Sequence, residues 1–547
     1  MLRDIRPDPR RLETHVQAGH WMRPGAPTGV PHTLRMLARQ HPDKVLPVDR
    51  LGSRTYREIE DAVAKAAAGL ARLGVGPGDA VLVQLPNWHE ALVLHLAAES
   101  LGAATIPVPH IYRARDVRHI ANLTEAKVAI IPWFGSFDFV GMYRELRPEM
   151  PALRSIILIG SDGVVSLEGS EAAAGSQLEG GRLDLARLEA PAVDPDRVTQ
   201  VGFTSGSTGA PKGAIHTSNT LCAEHRAWTR AFGLTDQDVI LVLATVGHQI
   251  GFTMMRAALF IGATVAFLDR WDATSALELI ERERVTFTFT TPAFLYDVLK
   301  SPIAAPGRVP SLKTWVLAGQ VVTSALREDA AVKLPKVRFP ALFGMTEMGC
   351  VIMCDKDAPD AKLPFTGRSQ LGVEIDVVDP DEKTVPVDTD GQLVVRGPSL
   401  LLGYLKQPDA TAASFTKSGH FMTGDQVRRD ADGFVMITGR IKDLIKRGGE
   451  SVSPEEVEEV LARHPSIIEA SVVGIPDDRL GERVCAFVIP RPGETLLTLA
   501  DLLAFLRHTE LTKQKWPERI EIIDSLPRTS IGKVDKAKLR AKLAPPG

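Results

Sequence analysis

Cysteine is scarce in this chain: Cys222, Cys350, Cys354 and Cys485 are the four in 547 residues. Only Cys350 and Cys354 are close in sequence, and no Cys/His set around them has zinc spacing, so neither a disulfide framework nor a zinc module is expected. Reduced thiols and a cytoplasmic location follow as the expectation. An excess of positive charge is missing too. Lys and Arg number 64 against 67 Asp and Glu, a net charge of −3, which gives no basis for a nucleic-acid surface. Residues Met1 to Pro7 hold no apolar core of a signal peptide, and their mixed acids and prolines speak against a transit peptide. Long hydrophobic runs are also lacking. The most apolar stretch, 239–268, is broken by His248, Gln249 and Arg256 into pieces of about 10 residues, against about 20 for a membrane span. It is assigned to buried strands and helices, and no integral membrane segment is expected. At 44% hydrophobic and 24% charged, the chain has the composition of a globular protein, with length for roughly three to four domain-sized units.

What is present begins with Phe203-Thr204-Ser205-Gly206-Ser207-Thr208-Gly209-Ala210-Pro211-Lys212-Gly213, behind the apolar Val201-Gly202-Phe203. The glycines let backbone N–H groups approach an anion closely. Four hydroxyls and the Lys212 ammonium add donors and charge. A Walker A loop needs lysine directly after glycine and a Ser/Thr behind it; here Ala210-Pro211 intervene and Gly213 follows. A Ser/Gly linker has no use for Thr-Gly-x-Pro-Lys-Gly behind a strand, so the loop reads as a phosphate cradle.

Four further strings follow: Phe343-Gly344-Met345-Thr346-Glu347, Thr423-Gly424-Asp425, Gly439-Arg440-Ile441-Lys442-Asp443 and Pro527-Arg528-Thr529-Ser530-Ile531-Gly532-Lys533. In order and approximate spacing, over residues 203–533, the five strings resemble the adenylate-forming enzymes: acyl- and aryl-CoA synthetases, adenylation domains of peptide synthetases, and luciferases. The resemblance implies two half-reactions. A carboxylate attacks the α-phosphate of ATP to give acyl-AMP and pyrophosphate; a thiol, here CoA, then attacks the acyl carbon and expels AMP.

The resemblance also distributes roles. Thr204, Ser205, Gly206, Ser207, Thr208, Gly209 and Lys212 would hold the β- and γ-phosphates. Glu347 would bind Mg²⁺, a metal that takes oxygen ligands shared with phosphate, and Thr346 the α-phosphate. Gly319-Gln320 and Phe343-Gly344-Met345 match the positions around adenine, Asp425 would accept from both ribose hydroxyls, and Arg440 would reinforce that contact. Lys533 would bridge the carboxylate and α-phosphate as charge shifts in adenylation. Lys442 matches the hinge. Lys446, placed on the same face of a strand Lys442–Lys446, would replace Lys533 in the second half. Arg447, Gly448 and Gly449 would line the CoA path. For the acid, Val246 to Phe252 matches the segment in which a His or aromatic gates the carboxylate, so His248, Gly251 and Phe252 are the pocket residues. Gly251, Gly319 and Gly344 would leave space, with Phe252 and Met345 as apolar walls. No Asp stands there for an ammonium group, and Gln249 differs from the Asn of catechol-acid enzymes. The expected acid is therefore apolar: aryl, alicyclic or medium-chain aliphatic. The N-terminal segments Pro109 to Arg113 and Trp133-Phe134-Gly135 look most like the branch with alicyclic and medium-chain acid ligases.

The expected fold class is α/β. Thr55 begins a helix with Ile59, Val63, Ala66, Leu70 and Leu73 at helical spacing, closed by Gly74. Strand 80–85, helix 89–101 and strand 105–108 continue the alternation that implies parallel sheets under helices. Residues 161–195 read as a flexible surface connection. From about 366 short strands and turns suggest a small β-barrel-like unit within an N-terminal domain of residues 1–441. After the hinge, 443–547 would form a mobile α+β domain, with Ser453 as N-cap, Pro454 at the first position and Glu456 closing a capping box.

Two other readings stay open: an acyl-AMP ligase that loads a carrier-protein thiol in trans, and a non-catalytic nucleotide or acyl-adenylate sensor. The partners expected are the acid, ATP and CoA; a homodimer is left open. An exposed loop around Lys533 would also admit a lysine acetyltransferase and deacetylase, since acetylation removes the charge adenylation uses. Lys533→Ala should slow pyrophosphate release by about 10²- to 10⁴-fold, the scale of losing one transition-state contact, while supplied acyl-AMP and CoA still give thioester; equal loss in both half-reactions would defeat the assignment.

Overall fold

The computed structural model describes residues 2–543 apart from 24–25, 27–28, 134–136, 163–164, 169–193, 205–210, 320–321, 323, 364, 448–449, 478, 492–497, 510 and 529–532. Two large sheets are built from residues 45–369. The strands Val165–Glu168, Ser155–Ile159, Val128–Pro132, Ala80–Val83, Ala104–Pro107, Val198–Phe203 and Gly213–Thr217 lie side by side in that order. The inner pairs are parallel, and both outermost pairs are antiparallel. The second sheet has nine strands, with Val239–Val242, Phe287–Thr290, Thr314–Ala318 and Ala341–Met345 as a parallel centre.

Between the sheets lies a helical layer. Helix Tyr56–Arg72 starts where its sequence says: Thr55 accepts from the Glu58 N–H and Glu58 answers on the Thr55 N–H, a complete capping box. Helix His89–Ser100 is buried at Ala91 through Ser100, as a helix covered on both sides must be. Helices Ser218–Phe232 and Gln249–Ile261 complete the layer, and one core unites them with side chains of both sheets, Val81 and Ile130 from one and Ile240, Phe287 and Val316 from the other. The stretch 239–268 thus divides into strand, buried helix and strand as expected.

That apolar layer encloses an ion pair. Arg256 and Glu99, 0% and 1% exposed, meet at 2.8 Å, with the Phe252 ring under the guanidinium at 5.1 Å and the His95 ring edge-on to Phe252. Burial and the nearby Arg256 push the His95 imidazole down to about 3, so it is neutral in this core.

The expected barrel-like unit is a four-stranded antiparallel sheet of Glu374–Val378, Asp390–Arg396, Phe421–Arg429 and Val435–Arg440. Its inward residues share a core with Phe343, Val351 and Tyr404. Past Arg440 a smaller α+β unit has its own sheet, built on the long hairpin Ile467–Asp477/Gly481–Pro490, and its own core around Val457, Val472, Val484 and Leu502.

Three sequence expectations change. The 161–195 connection includes a strand, Val165–Glu168, paired antiparallel to Ser155–Ile159 as the edge of its sheet; a β-branched and apolar residue type within a Gly- and Ser-rich connection raises strand propensity enough to extend a sheet. Ser453 caps helix Pro454–Leu461 by accepting from the Glu456 N–H, but the Glu456 carboxylate turns away to Lys515 at 2.6 Å, where an opposite charge outcompetes a backbone N–H. Lys442–Lys446 is not one strand: the Asp443 and Leu444 N–H groups both donate to Arg440 O, closing a turn, and the strand is Ile445–Arg447.

The buried pair gives a stability test. Glu99→Gln leaves Arg256 uncompensated and should cost about 3–5 kcal/mol, whereas the double change Glu99→Met, Arg256→Met should recover most of it; urea midpoints of the two variants compare the outcomes.

Candidate active site

Four strand ends converge on one place. Thr204 follows Val198–Phe203; His248 ends the connection that leaves Val239–Val242; Gly319 follows Thr314–Ala318; Thr346 and Glu347 follow Ala341–Met345. The carboxyl ends of parallel strands are where α/β sheets leave a crevice for ligands.

The phosphate-loop region is described at its two ends. The Thr204 N–H donates to Lys212 O at 3.1 Å, so the loop leaves and rejoins at one point. Ser205, Gly206, Ser207, Thr208 and Gly209 lie outside the described residues, as do Gln320, Gly448 and Gly449. Lys212 places its ammonium 4.9 Å from the centre of the Tyr404 ring. Tyr404 in turn donates its hydroxyl to Glu347 Oε1 at 2.8 Å. Glu347 is 6% exposed; burial raises its carboxyl above the usual range, while Tyr404, Arg440 and Lys212 hold it down. A buried carboxylate among cations suits a divalent ion shared with phosphate. Thr346 beside it is packed so closely that a methyl group at Gly202 would stand 2.7 Å from its Cγ2, and its carbonyl accepts from His216 Nε2 at 2.7 Å.

Asp425 and Arg440 are cross-strand partners. Gly424 takes φ +74°, a conformation that favours glycine, and strand alternation puts Asp425 on the buried face with Phe421, Thr423 and Val427. Asp425 Oδ1 forms an ion pair with Arg440 Nε at 2.7 Å. Its Oδ2 is buried and has no hydrogen-bond partner among the described residues. An orphaned buried carboxylate oxygen is costly unless a donor meets it, and ribose hydroxyls are such donors. Burial raises the Asp425 carboxyl, against the pull of Arg440 and Lys533.

Lys533 comes to the same place from the far end of the chain. A methyl group at Gly319 would lie 3.4 Å from its Cε and 3.9 Å from its Nζ. The side chain is half-buried rather than fully exposed, because the C-terminal unit sits against the strand ends. Burial, then Arg440 and Lys442, push its ammonium down to about 8, against Asp425. His248, at the start of helix Gln249–Ile261, makes no capping bond with its side chain; burial and Lys533 push it down to about 4, so it is a neutral imidazole. Lys442 lies in the turn after Arg440, and burial with Arg440 lowers its ammonium.

The two residues assigned to the second half lie outside the crevice in this arrangement, and several pocket assignments change. Lys446 is exposed on the C-terminal unit, with its N–H on Glu482 Oε2. The Arg447 guanidinium is taken by Glu518 at 2.8 and 3.1 Å. Phe252 is fully buried against His95 and Arg256, on the core side of its helix rather than on a pocket wall. Gly251 leaves no space for an acid: a Cβ there would meet Thr245 O at 2.3 Å, so the glycine serves helix-to-loop contact. Gly344 likewise faces Cys350 Cα at 2.8 Å, the neighbouring strand. Phe343 is buried in the β-unit core, and Met345 packs half-buried on its edge.

Motif reading singled out Gln249 but not its partners. Gln249 Nε2 donates to Glu224 Oε2 at 3.1 Å and to Thr253 Oγ1 at 3.2 Å. Thr253 and the Cys350 N–H also donate to Glu224, and Gln200 donates to Gln249 Oε1. This buried network backs His248 and Thr346. No spacing rule links residues 49 or 126 apart, as Gln200–Gln249 and Glu224–Cys350 are; only the fold joins them.

A lysine that closes a glycine-rich loop, two buried carboxylates and a lysine from the far end of the chain meet in one crevice, the set expected of an adenylate-forming ligase. The chain belongs to the AMP-binding enzyme family, whose main domain matches residues 34–405 and whose C-terminal domain matches 456–533. It is 34% identical over 507 residues to the medium-chain fatty-acid–CoA ligase of Escherichia coli (strain K12), covering 92% of this chain and 88% of that one. To the 2-hydroxy-7-methoxy-5-methyl-1-naphthoate–CoA ligase of Streptomyces carzinostaticus it is 33% identical, covering 96% and 94%. ATP-bound MatB from Rhodopseudomonas palustris superposes with a TM-score of 0.83 at 26% identity, over 94% of this chain and 99% of that one. Among the described residues no helix is long and apolar enough to cross a membrane.

The Lys533 environment sets a pH dependence. The ammonium form is the one that can meet two anions, and its pKa lies near 8. kcat/KM for ATP in pyrophosphate release should therefore be level below that pH and fall above it, about tenfold per pH unit. Lys533→Arg, charged throughout, should lower the plateau and abolish the alkaline limb.

Proposed function

We propose that the protein joins an apolar carboxylic acid to CoA in two steps. The acid's carboxylate oxygen bonds to the α-phosphorus of ATP as the bond to the β-phosphate breaks, leaving acyl-AMP and pyrophosphate. The CoA thiolate then bonds to the acyl carbon, and AMP leaves. The observation that carries this reading is the position of Lys533 against Gly319, in the field of Asp425 and Arg440. A cation delivered there can bind the acid's carboxylate and the α-phosphate together, so two anions meet in line without repulsion.

Mg²⁺ bound at Glu347 would neutralise phosphate charge. Asp425 Oδ2 would accept from the ribose, Arg440 would hold that carboxylate in place, and Lys212 would draw the outer phosphates. Neutral His248 would face the acid's carboxylate end without adding charge. Gln249, engaged by Glu224 and Thr253, offers the acid no charge, which supports an aryl, alicyclic or medium-chain body; the E. coli and S. carzinostaticus relatives are named for a medium-chain fatty acid and a naphthoate. For the second half, Lys442 would be the hinge of a rotation of residues 443–547 that withdraws Lys533 and brings Lys446 and the Arg447–Gly449 segment to the site, Arg447 exchanging Glu518 for a CoA phosphate.

Transfer to a carrier-protein thiol is the second reading, favoured by the Glu518 carboxylate that already occupies the guanidinium expected on CoA. Pyrophosphate release across a panel of acids, with and without CoA, separates the two: release with thioester formed on CoA supports the first, release with no CoA thioester the second. No release with any acid would overturn adenylation itself. Lys442→Pro, which fixes φ near −65°, should leave pyrophosphate release standing and cut thioester formation steeply; a variant with both halves intact would refute a rotation at this residue.

A further inference from the structure

We infer that Tyr404 is a positioning residue that keeps two opposite charges of the phosphate site apart, so that Glu347 stays open to a divalent cation and Lys212 to phosphate. This rests on the adenylation reading above. The hydroxyl donates to Glu347 Oε1 at 2.8 Å, and the same ring presents its face to the Lys212 ammonium at 4.9 Å. One side chain therefore touches both charges, the anion by a hydrogen bond and the cation by its π-face.

The ring is held in that position by its backbone. The segment Leu401–Leu405 is strapped to the strand that leaves the phosphate loop: the Leu405 N–H donates to Gly213 O, the Ile215 N–H to Gly403 O and the Leu402 N–H to Ile215 O. At its other end the Leu401 N–H donates to Glu347 O at 2.7 Å. Thr411 Oγ1 accepts from the Tyr404 N–H, and Tyr404 is 8% exposed. Without the ring, a flexible lysine near a buried carboxylate would close an ion pair with it, since leaving either charge unpaired is costly. That pair would occupy the very groups the metal and the phosphates use.

The test is calorimetric binding of ATP to the full-length protein, with EDTA and across a Mg²⁺ titration, so that turnover is not the readout. Tyr404→Phe keeps the ring and removes the hydroxyl. It should bind metal-free ATP as the wild type does but need about tenfold more Mg²⁺ for half-maximal enhancement, the scale of one hydrogen bond to a charged group. Tyr404→Leu removes both contacts and should also weaken metal-free ATP binding about tenfold, on the same scale. Adding Glu347→Gln to Tyr404→Leu should restore the metal-free affinity, because Lys212 then has no carboxylate to collapse on. Unchanged Mg²⁺ dependence in Tyr404→Phe overturns the proposal, as does failure of the double variant to recover while melting curves show it folded. If Tyr404→Leu does not fold, the Mg²⁺ titration of Tyr404→Phe decides alone. ATP binding by none of the proteins, wild type included, would instead overturn the adenylation reading.

Discussion

The register between Phe421–Arg429 and Val435–Arg440 is the constraint on which the rest of the site depends. It sets Asp425 opposite Arg440 and closes a 2.7 Å ion pair at the last residue before the chain turns into its C-terminal unit. A one-residue slip of either strand would send that strand's side chain to the opposite face and part the pair. The pair does two things at once. It holds a carboxylate, 2% exposed, with one oxygen still unpartnered among the described residues, and it places a guanidinium where it lowers the basicity of Lys533.

Charge is distributed around that pair in a consistent way. Lys212, Arg440 and Lys533 approach from three separate parts of the chain, and the two acids facing them, Glu347 and Asp425, are buried deeply enough that burial is the largest influence on each. Cations over desolvated acids interact more strongly than they would in water. The apolar layer behind supplies the low-dielectric wall. Where polar groups enter that wall near the crevice, the Glu224–Gln249–Thr253 set bonds within itself. Tyr404 belongs to this scheme as the group between Lys212 and Glu347.

Much of the site was legible from short strings because their geometry is local. Asp425 turns inward with Thr423 and Val427 by the period of its own strand. Thr55 and Glu58 cap their helix within four residues. The pocket glycines misled for the same reason. A missing Cβ reads as open space in sequence, yet at Gly251 and Gly344 the backbone of a neighbouring segment fills it. Phe252 misled likewise, because sequence cannot tell the core side of a helix from the cavity side when both are apolar.

Residue types in their order were enough to say which chemical groups this protein owns, that its class is α/β and to which family it belongs, since the class rests on local alternation and the family on five short strings read in order along the chain. Which of those groups meet was settled by packing across the whole molecule. That packing put Lys533 beside Gly319 over 214 positions of chain, Tyr404 on Glu347 over 57, and Arg447 on Glu518 over 71. Such contacts follow from how strands register and helices pack over the full fold, and no local pattern of residue types encodes a distance of that kind.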